Sequence, residues 1–230
     1  MYICRIYYLT ENHIFMIIKK ITVSEDCSLA GVPALLDAAG VGFVPVACDN
    51  WNWSDRNPEV KVRIAHDSEN IILHFHVSDN ELRAVETEND GRVWEDSCVE
   101  FFVSPDGNDF YYNFECNCIG TLLLHGGPAG GERPSAPARV YDSVRRWSSL
   151  GTGAFEAHEE VREWDLVEII PASALFRHDI KSLDGLSMKG NFYKCGDLLP
   201  HPHFLSWAPI DLPKPMFHCP QFFDAIEFEQ

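Results

Sequence analysis

Residues 94–118 constrain the fold more than any other part of the chain, because apolar and polar side chains alternate there at the period of a strand. Residues 98–103 and 110–118 read as two β-strands joined by Ser104-Pro105-Asp106-Gly107-Asn108-Asp109, a run with the composition of a hairpin loop. On the first strand Val99, Phe101 and Val103 share one face, and Cys98, Glu100 and Phe102 share the other. On the second, Phe110, Tyr112, Phe114, Cys116 and Cys118 form an apolar row against Tyr111, Asn113, Glu115 and Asn117. Pairing Val99 with Phe114, Phe101 with Tyr112 and Val103 with Phe110 makes the two apolar faces coincide. The opposite face then gathers Glu100, Tyr111, Asn113, Glu115 and Asn117, and extended chain before Cys98 adds Trp94 and Asp96. Two readings of that face stand side by side. It is the solvated outer side of a half-buried sheet, or it is a ligand surface whose amides and carboxylates meet hydroxyls while an aromatic ring meets the C–H face of a sugar.

The same alternation recurs elsewhere. Val60, Val62 and Ile64 point one way, and Ile71, Leu73, Phe75 and Val77 point inward while Ile72, His74 and His76 point out. Residues 140–147, 154–158 and 161–170 read as further strands, as do stretches around 186–193, 204–207 and 222–228. Residues 171–176 read as one or two helical turns led by Pro171. Many short strands, Gly and Pro turns and little helix specify an all-β fold, an antiparallel immunoglobulin-like β-sandwich. Residues 125–137, rich in Gly and Pro, form a long loop placed to rim a site.

At 230 residues, with 46% hydrophobic residues, the chain can build one full core. Residues 21–230 read as a single domain after an N-terminal extension, 1–20, without a clear structural signal, although 17–23 has the pattern of a first strand. Arg5, Glu11 and His13 interrupt that extension, so it is neither a signal peptide nor a membrane span, and by sequence the protein is expected to be cytoplasmic. A net charge of -17 argues against nucleic acid and against anionic membrane surfaces. The eight cysteines contain no C-x-x-C pair, and Cys116 and Cys118 on one face read as buried free thiols. His74 and His76 share a face but lack a third convergent metal ligand in the sequence. Asp79, Asn80, Glu81, Glu86, Glu88, Asn89 and Asp90 offer hard oxygens for a structural Ca²⁺, or make a solvated acidic loop. Gly151-Thr152-Gly153 is not a dinucleotide fingerprint, since no third glycine and no helix follow.

The run Trp94-Glu95-Asp96-Ser97-Cys98-Val99-Glu100-Phe101-Phe102 is followed by Tyr111-Tyr112-Asn113-Phe114-Glu115-Cys116-Asn117 and Gly120. With Trp164 to Ile170 before Pro171, and with 191–197 and 204–207, it resembles carbohydrate-binding module family 9 and its relatives. The resemblance implies a sandwich that binds a mono- or oligosaccharide without cleaving it, in bacterial polysaccharide breakdown, and would allow a secreted or periplasmic protein. Carried over residue by residue, it implies stacking on Trp94 and Trp207, an acceptor at Glu100 and an amide at Asn117. It also implies core packing for Trp51 and Trp53. Where sugar-binding members carry an Arg two positions before the amide, this chain has Glu115. That second carboxylate raises an alternative, a glycoside hydrolase using Glu100 and Glu115: diagonal neighbours lie about 7–8 Å apart at the backbone, and retaining enzymes hold their carboxyls about 5–5.5 Å apart. A further alternative, a haem-binding electron-transfer domain as in related sandwiches, would need Met188 or Met216 with a histidine as axial ligands.

Overall fold

The computed structural model describes residues 6–10, 13–24, 26–107 and 109–230, with side-chain surroundings from residue 15 onward apart from 25 and 108. Cys4 and the rest of residues 1–5, with Glu11 and Asn12, lie outside the described residues. Within them are thirteen strands: β1 Ile6–Thr10, β2 His13–Lys20, β3 Val44–Pro45, β4 Glu59–His66, β5 Asn70–Ala84, β6 Cys98–Ser104 and β7 Phe110–Asn117 open the series. β8 Leu122–Pro128, β9 Arg145–Ser148, β10 Phe155–Pro171, β11 Ser187–Cys195, β12 Phe204–Ser206 and β13 Asp224–Phe228 complete it.

One hydrogen-bonded path runs β8-β7-β6-β11-β13-β2-β4-β5-β10-β9 and folds back on itself. Its two halves face each other across the main core, where the rings of Phe75 on β5 and Phe192 on β11 sit 6.2 Å apart. β2 joins the halves, and it does so by parallel pairing with both β13 and β4, so the sheet is mixed where the alternation predicts an antiparallel one. Met16 and Ile18 of β2 are fully buried. Residues 15–20, expected in an extension, are therefore an interior strand that closes the sandwich.

The outer face of the β4-β5-β10 layer is not solvated. Helix α1, Val32–Ala38, lays Val32 and Leu36, four residues apart, over Ala65, Ile72, Val167 and Ile169. Ile72, expected to face out, is covered by this segment, and His74, also expected out, is buried among Arg63, Asp165 and Phe43. Residues 138–143 are also helical, α2 Ala138–Ser143, where strand is expected from residue 140 onward. Tyr141 of α2 is buried and its hydroxyl accepts the amide of Leu124 at 3.0 Å, so tertiary anchoring outweighs local strand propensity. No helix among the described residues is long and apolar enough to cross a membrane.

Candidate ligand cavity

The alternation of β6 and β7 holds in the structure, but the register is two residues from the expected one. Val99 faces Cys116, Phe101 faces Phe114 and Val103 faces Tyr112, which leaves a longer connection between the strands. A slip of two keeps every side chain on its face, so hydrophobic pattern alone does not separate the two registers. It does move the acids: Glu100 and Glu115 are directly opposed rather than diagonal.

Their face is covered. After β12 the chain crosses it as a segment carrying Pro209, Pro213 and Pro215, residues that fix φ and donate no amide, so it joins neither a helix nor a ladder before the 3₁₀ turn Pro220–Phe222. Aromatic contacts pin it. Phe217 stacks on Tyr193 at 4.2 Å, and Trp51, half-buried, donates its indole N–H to the Leu212 carbonyl at 2.7 Å. Beneath the segment lies a cavity of about 480 Å³. Trp94, Leu123, Phe204, Met216 and Phe217 supply its apolar wall, and Glu100, Asn113, Glu115, Arg133 and Asp197 its polar one, with His125 and His218 beside them.

Each polar group is delivered by a definable device. The 3₁₀ turn Val93–Glu95 presents Trp94, and its carbonyl accepts the amide of Asp197 at 3.0 Å. Gly127 on β8 has no room for a Cβ, which would meet the Glu132 carbonyl oxygen at 2.3 Å, so the Gly/Pro loop folds back flush onto the sheet. That loop places the Arg133 guanidinium 3.5 Å over the Tyr111 ring, where it donates to the Asn113 side-chain oxygen. Asn113 in turn donates to Glu115 at 2.9 Å. A cation thus reaches this face through the loop, although position 115 is itself acidic.

Burial sets the protonation of the site. Glu100 is 3% exposed, touches the Cys195 thiol at 3.0 Å and has no cation paired with it among the described residues, so desolvation and the neighbouring acids hold its pKa well above the usual carboxylate range. Desolvation raises Glu115 to about 7, opposed by the Asn113 hydrogen bond and Arg133, and raises Asp197 to about 6. The same cause lowers His218 to about 4, leaving a neutral ring hydrogen-bonded to the Tyr111 hydroxyl at 2.8 Å. Protonated carboxyls both donate and accept, which suits vicinal hydroxyls.

The structure brings Trp94, Glu100 and Glu115 together at the cavity and leaves two expected residues outside it. Asn117 spends its amide on scaffold: its N–H groups go to the Glu86 carbonyl and to Asp96, and its oxygen accepts the amides of Ile119 and Thr121. This closes the β7–β8 turn, in which Gly120 takes φ +90, a conformation other residues rarely adopt. Asp96, fully buried, binds Arg83, Asn117 and the amides of Val85 and Glu86. Trp207 is 3% exposed in the main core, edge-on to Phe192 at 5.6 Å. Parity explains this: Phe204 pairs with Cys195 on the cavity side, and three residues later Trp207 falls on the opposite face. Trp53, expected in the core, is 55% exposed and packs edge-on to Phe204. Sequence reasoning missed Phe204, Phe217, Asp197 and Arg133, for which only the parity of Phe204 with Cys195 and the length of the 125–137 loop were signals.

The other proposed ligand groups disperse. His74 lies between Arg63 and Asp165, both ring nitrogens occupied, and His76 also binds Asp165. In the acidic stretch Asp79 pairs with Lys194, Glu81 with His201, and Asp90 with His125, so these oxygens do not converge on one point. Met188 is buried in the main core, and Met216 is 50% exposed at the cavity. Cys27, Cys48, Cys98, Cys116, Cys118, Cys195 and Cys219 are free thiols.

Residues 30–228 match the model of a family described as carbohydrate-binding family 9. Among solved structures, a candidate carbohydrate-binding protein from Bacteroides uniformis is 51% identical with a TM-score of 0.91, covering 94% of this chain and 99% of its own. A carbohydrate binding module family 9 from Caldicellulosiruptor kristjanssonii, solved with glucose, aligns at 10% identity and a TM-score of 0.56 over 94% of this chain and 95% of its own. The cellotriose complex from that organism aligns at 9% and 0.55, over 94% and 93%. No curated protein matches the chain.

Proposed function

The chain belongs to carbohydrate-binding family 9, and from that premise we propose that the covered cavity holds the end of a saccharide without cleaving it. The observation that carries this reading is the composition of one cavity open to solvent: an indole and two phenyl rings beside two opposed carboxyls, an amide and a guanidinium, in about 480 Å³. That volume is in the range of small-molecule sites, roughly 300–1,000 Å³. Trp94 is the platform for the apolar face of a sugar ring, and Phe204 and Phe217 take the part first given to Trp207. Glu100, Glu115 and Asp197, raised toward neutral, meet hydroxyls as donors as well as acceptors. The glucose and cellotriose seen in the two distant fold relatives make β-glucan fragments the first ligands to try.

The opposition of Glu100 and Glu115 favours one second reading, hydrolysis. A retaining glycosidase needs one carboxyl ionised beside one protonated. Here burial raises both, and Arg133 stands behind Asn113 rather than against either acid. Calorimetry of the wild-type protein with glucose, cellobiose and cellotriose, followed by assay of the same mixtures for reducing sugar, tests both readings. Binding without turnover is expected. No heat at millimolar ligand contradicts the saccharide site, and turnover lost in Glu100→Gln or Glu115→Gln gives the cavity to the hydrolase.

A further inference from the structure

Behind the saccharide-facing groups stand two thiols that the proposed function does not use. Cys98 on β6 and Cys195 on β11 are directly paired across the antiparallel ladder, and Glu100 lies two residues along β6 on the same face. All three are at most 3% exposed. One donor atom from each, two sulfurs and a carboxylate oxygen, lies within 4.8 Å of the others. Around a tetrahedral zinc ion, with Zn–S near 2.3 Å and Zn–O near 2.0–2.2 Å, donor atoms sit roughly 3.5–3.8 Å apart. The three groups therefore need only small adjustments to share one ion, with the Cys195–Glu100 pair, 3.0 Å apart, opening slightly. They ride on adjacent strands of one sheet, which holds them more firmly than loops would.

The charge balance favours a cation. Glu100 has no Lys or Arg partner among the described residues, and Glu115 and Asp197 are its acidic neighbours. Lys194, next to Cys195, points to the opposite face of β11, where it contacts His203 and Asp79. A divalent ion bound there would send the protons of the two thiols and the carboxyl to solvent and leave one net negative charge on the cluster. Glu100 and Cys195 also line the cavity, so a water can complete the coordination from that side.

We propose that Cys98, Glu100 and Cys195 form a binding site for a thiophilic divalent cation of the zinc class in the wall of the cavity. The site is read with metal alone, so its failure and the failure of the saccharide reading are separate results.

The experiment adds Co²⁺, as a coloured substitute for Zn²⁺, to the full chain reduced with a non-thiol reductant. A Cys27→Ser, Cys48→Ser background removes the two half-buried thiols. One equivalent of Co²⁺ is expected to give a sulfur-to-cobalt charge-transfer band that Zn²⁺ bleaches. Cys195→Ser and Cys98→Ser should weaken affinity by at least the roughly 10–100-fold that loss of an outer-shell partner costs, and Glu100→Gln should weaken it while the sulfur band stays. Cadmium NMR of the unmutated pair gives an answer that does not depend on variants folding, since the shift reports how many sulfurs are bound. A two-sulfur resonance is expected. Absence of the band, its persistence in both serine variants, or a cadmium resonance without sulfur ligands overturns the proposal.

Discussion

Both outer faces of the sandwich are covered, and the two covers behave differently. Over β4, β5 and β10 the cover is α1, whose Val32 and Leu36 drop onto Ile72, Val167 and Ile169 and fill the space with apolar side chains. Over β6, β7 and β11 the cover is a proline-bearing segment laid across Glu100, Asn113 and Glu115, and a cavity remains beneath it. A helix offers an apolar row at the spacing needed to mesh with a sheet. A chain interrupted by proline has no such row: it packs Ile210, Leu212 and Phe217 with Phe102, Tyr111 and Tyr193 on one part of the face and leaves a cavity over the polar groups beside them. One cover is packed throughout, and the other leaves a room beside its packed part.

Breaking the filled cover should have the largest effect. Leu36→Ala is expected to destabilise the fold by about 2–5 kcal/mol in urea unfolding, with saccharide affinity of the folded protein unchanged; a lost affinity at full stability would mean the two faces are not independent. The interior between the covers comes next. Glu168 points into the main core with neither carboxylate oxygen hydrogen-bonded among the described residues, and desolvation raises it from 4.5 to about 7. Below pH 4.5 this carboxyl is neutral whether or not the chain is folded, and between 4.5 and about 7 it ionises readily only in the unfolded chain. Stability therefore falls as pH rises through that window, by up to about 1.4 kcal/mol per pH unit from this group. Unfolding curves of Glu168→Gln should lack that part of the slope, and an unaltered slope would place the titration elsewhere.

Breaking the cavity side should change binding more than folding. Trp94→Ala is expected to cost about 1–3 kcal/mol of saccharide affinity, read by calorimetry, with a smaller change in unfolding midpoint than Leu36→Ala. At the bottom of the scale stands Trp53→Ala. Its exposed ring should be worth within about 0.5 kcal/mol of stability, and a core-sized loss in chemical denaturation would restore the packing role first expected of it.

The sequence revealed faces better than distances. Side-chain period placed Phe101 and Phe114 in the core and Glu100 and Glu115 together, because both properties survive a two-residue register shift. The same period is silent on how far a covering segment stands from a sheet, and the stretch around Pro213 and Pro215 has no period to read. Trp207 was misplaced by resemblance where parity with Phe204 points inward. Arg133 could be assigned to a rim loop but not to Asn113, since that contact depends on Gly127 letting the loop lie against the sheet. Residues 13–20 form β2 because β4 and β13 both offer free edges to it, which is a property of the assembled sheets rather than of the segment.

Which tryptophan meets the ligand decides where the saccharide binds. The chain has six, each with one indole N–H signal in a nitrogen–proton correlation spectrum, and Trp94→Phe identifies its own by loss. On titration with a β-glucan fragment, the Trp94 signal should move while those of Trp164 and Trp207, both in the main core, stay in place. Movement of the Trp207 signal with Trp94 unmoved, or a bound ligand that moves neither, would contradict the cavity as the binding site.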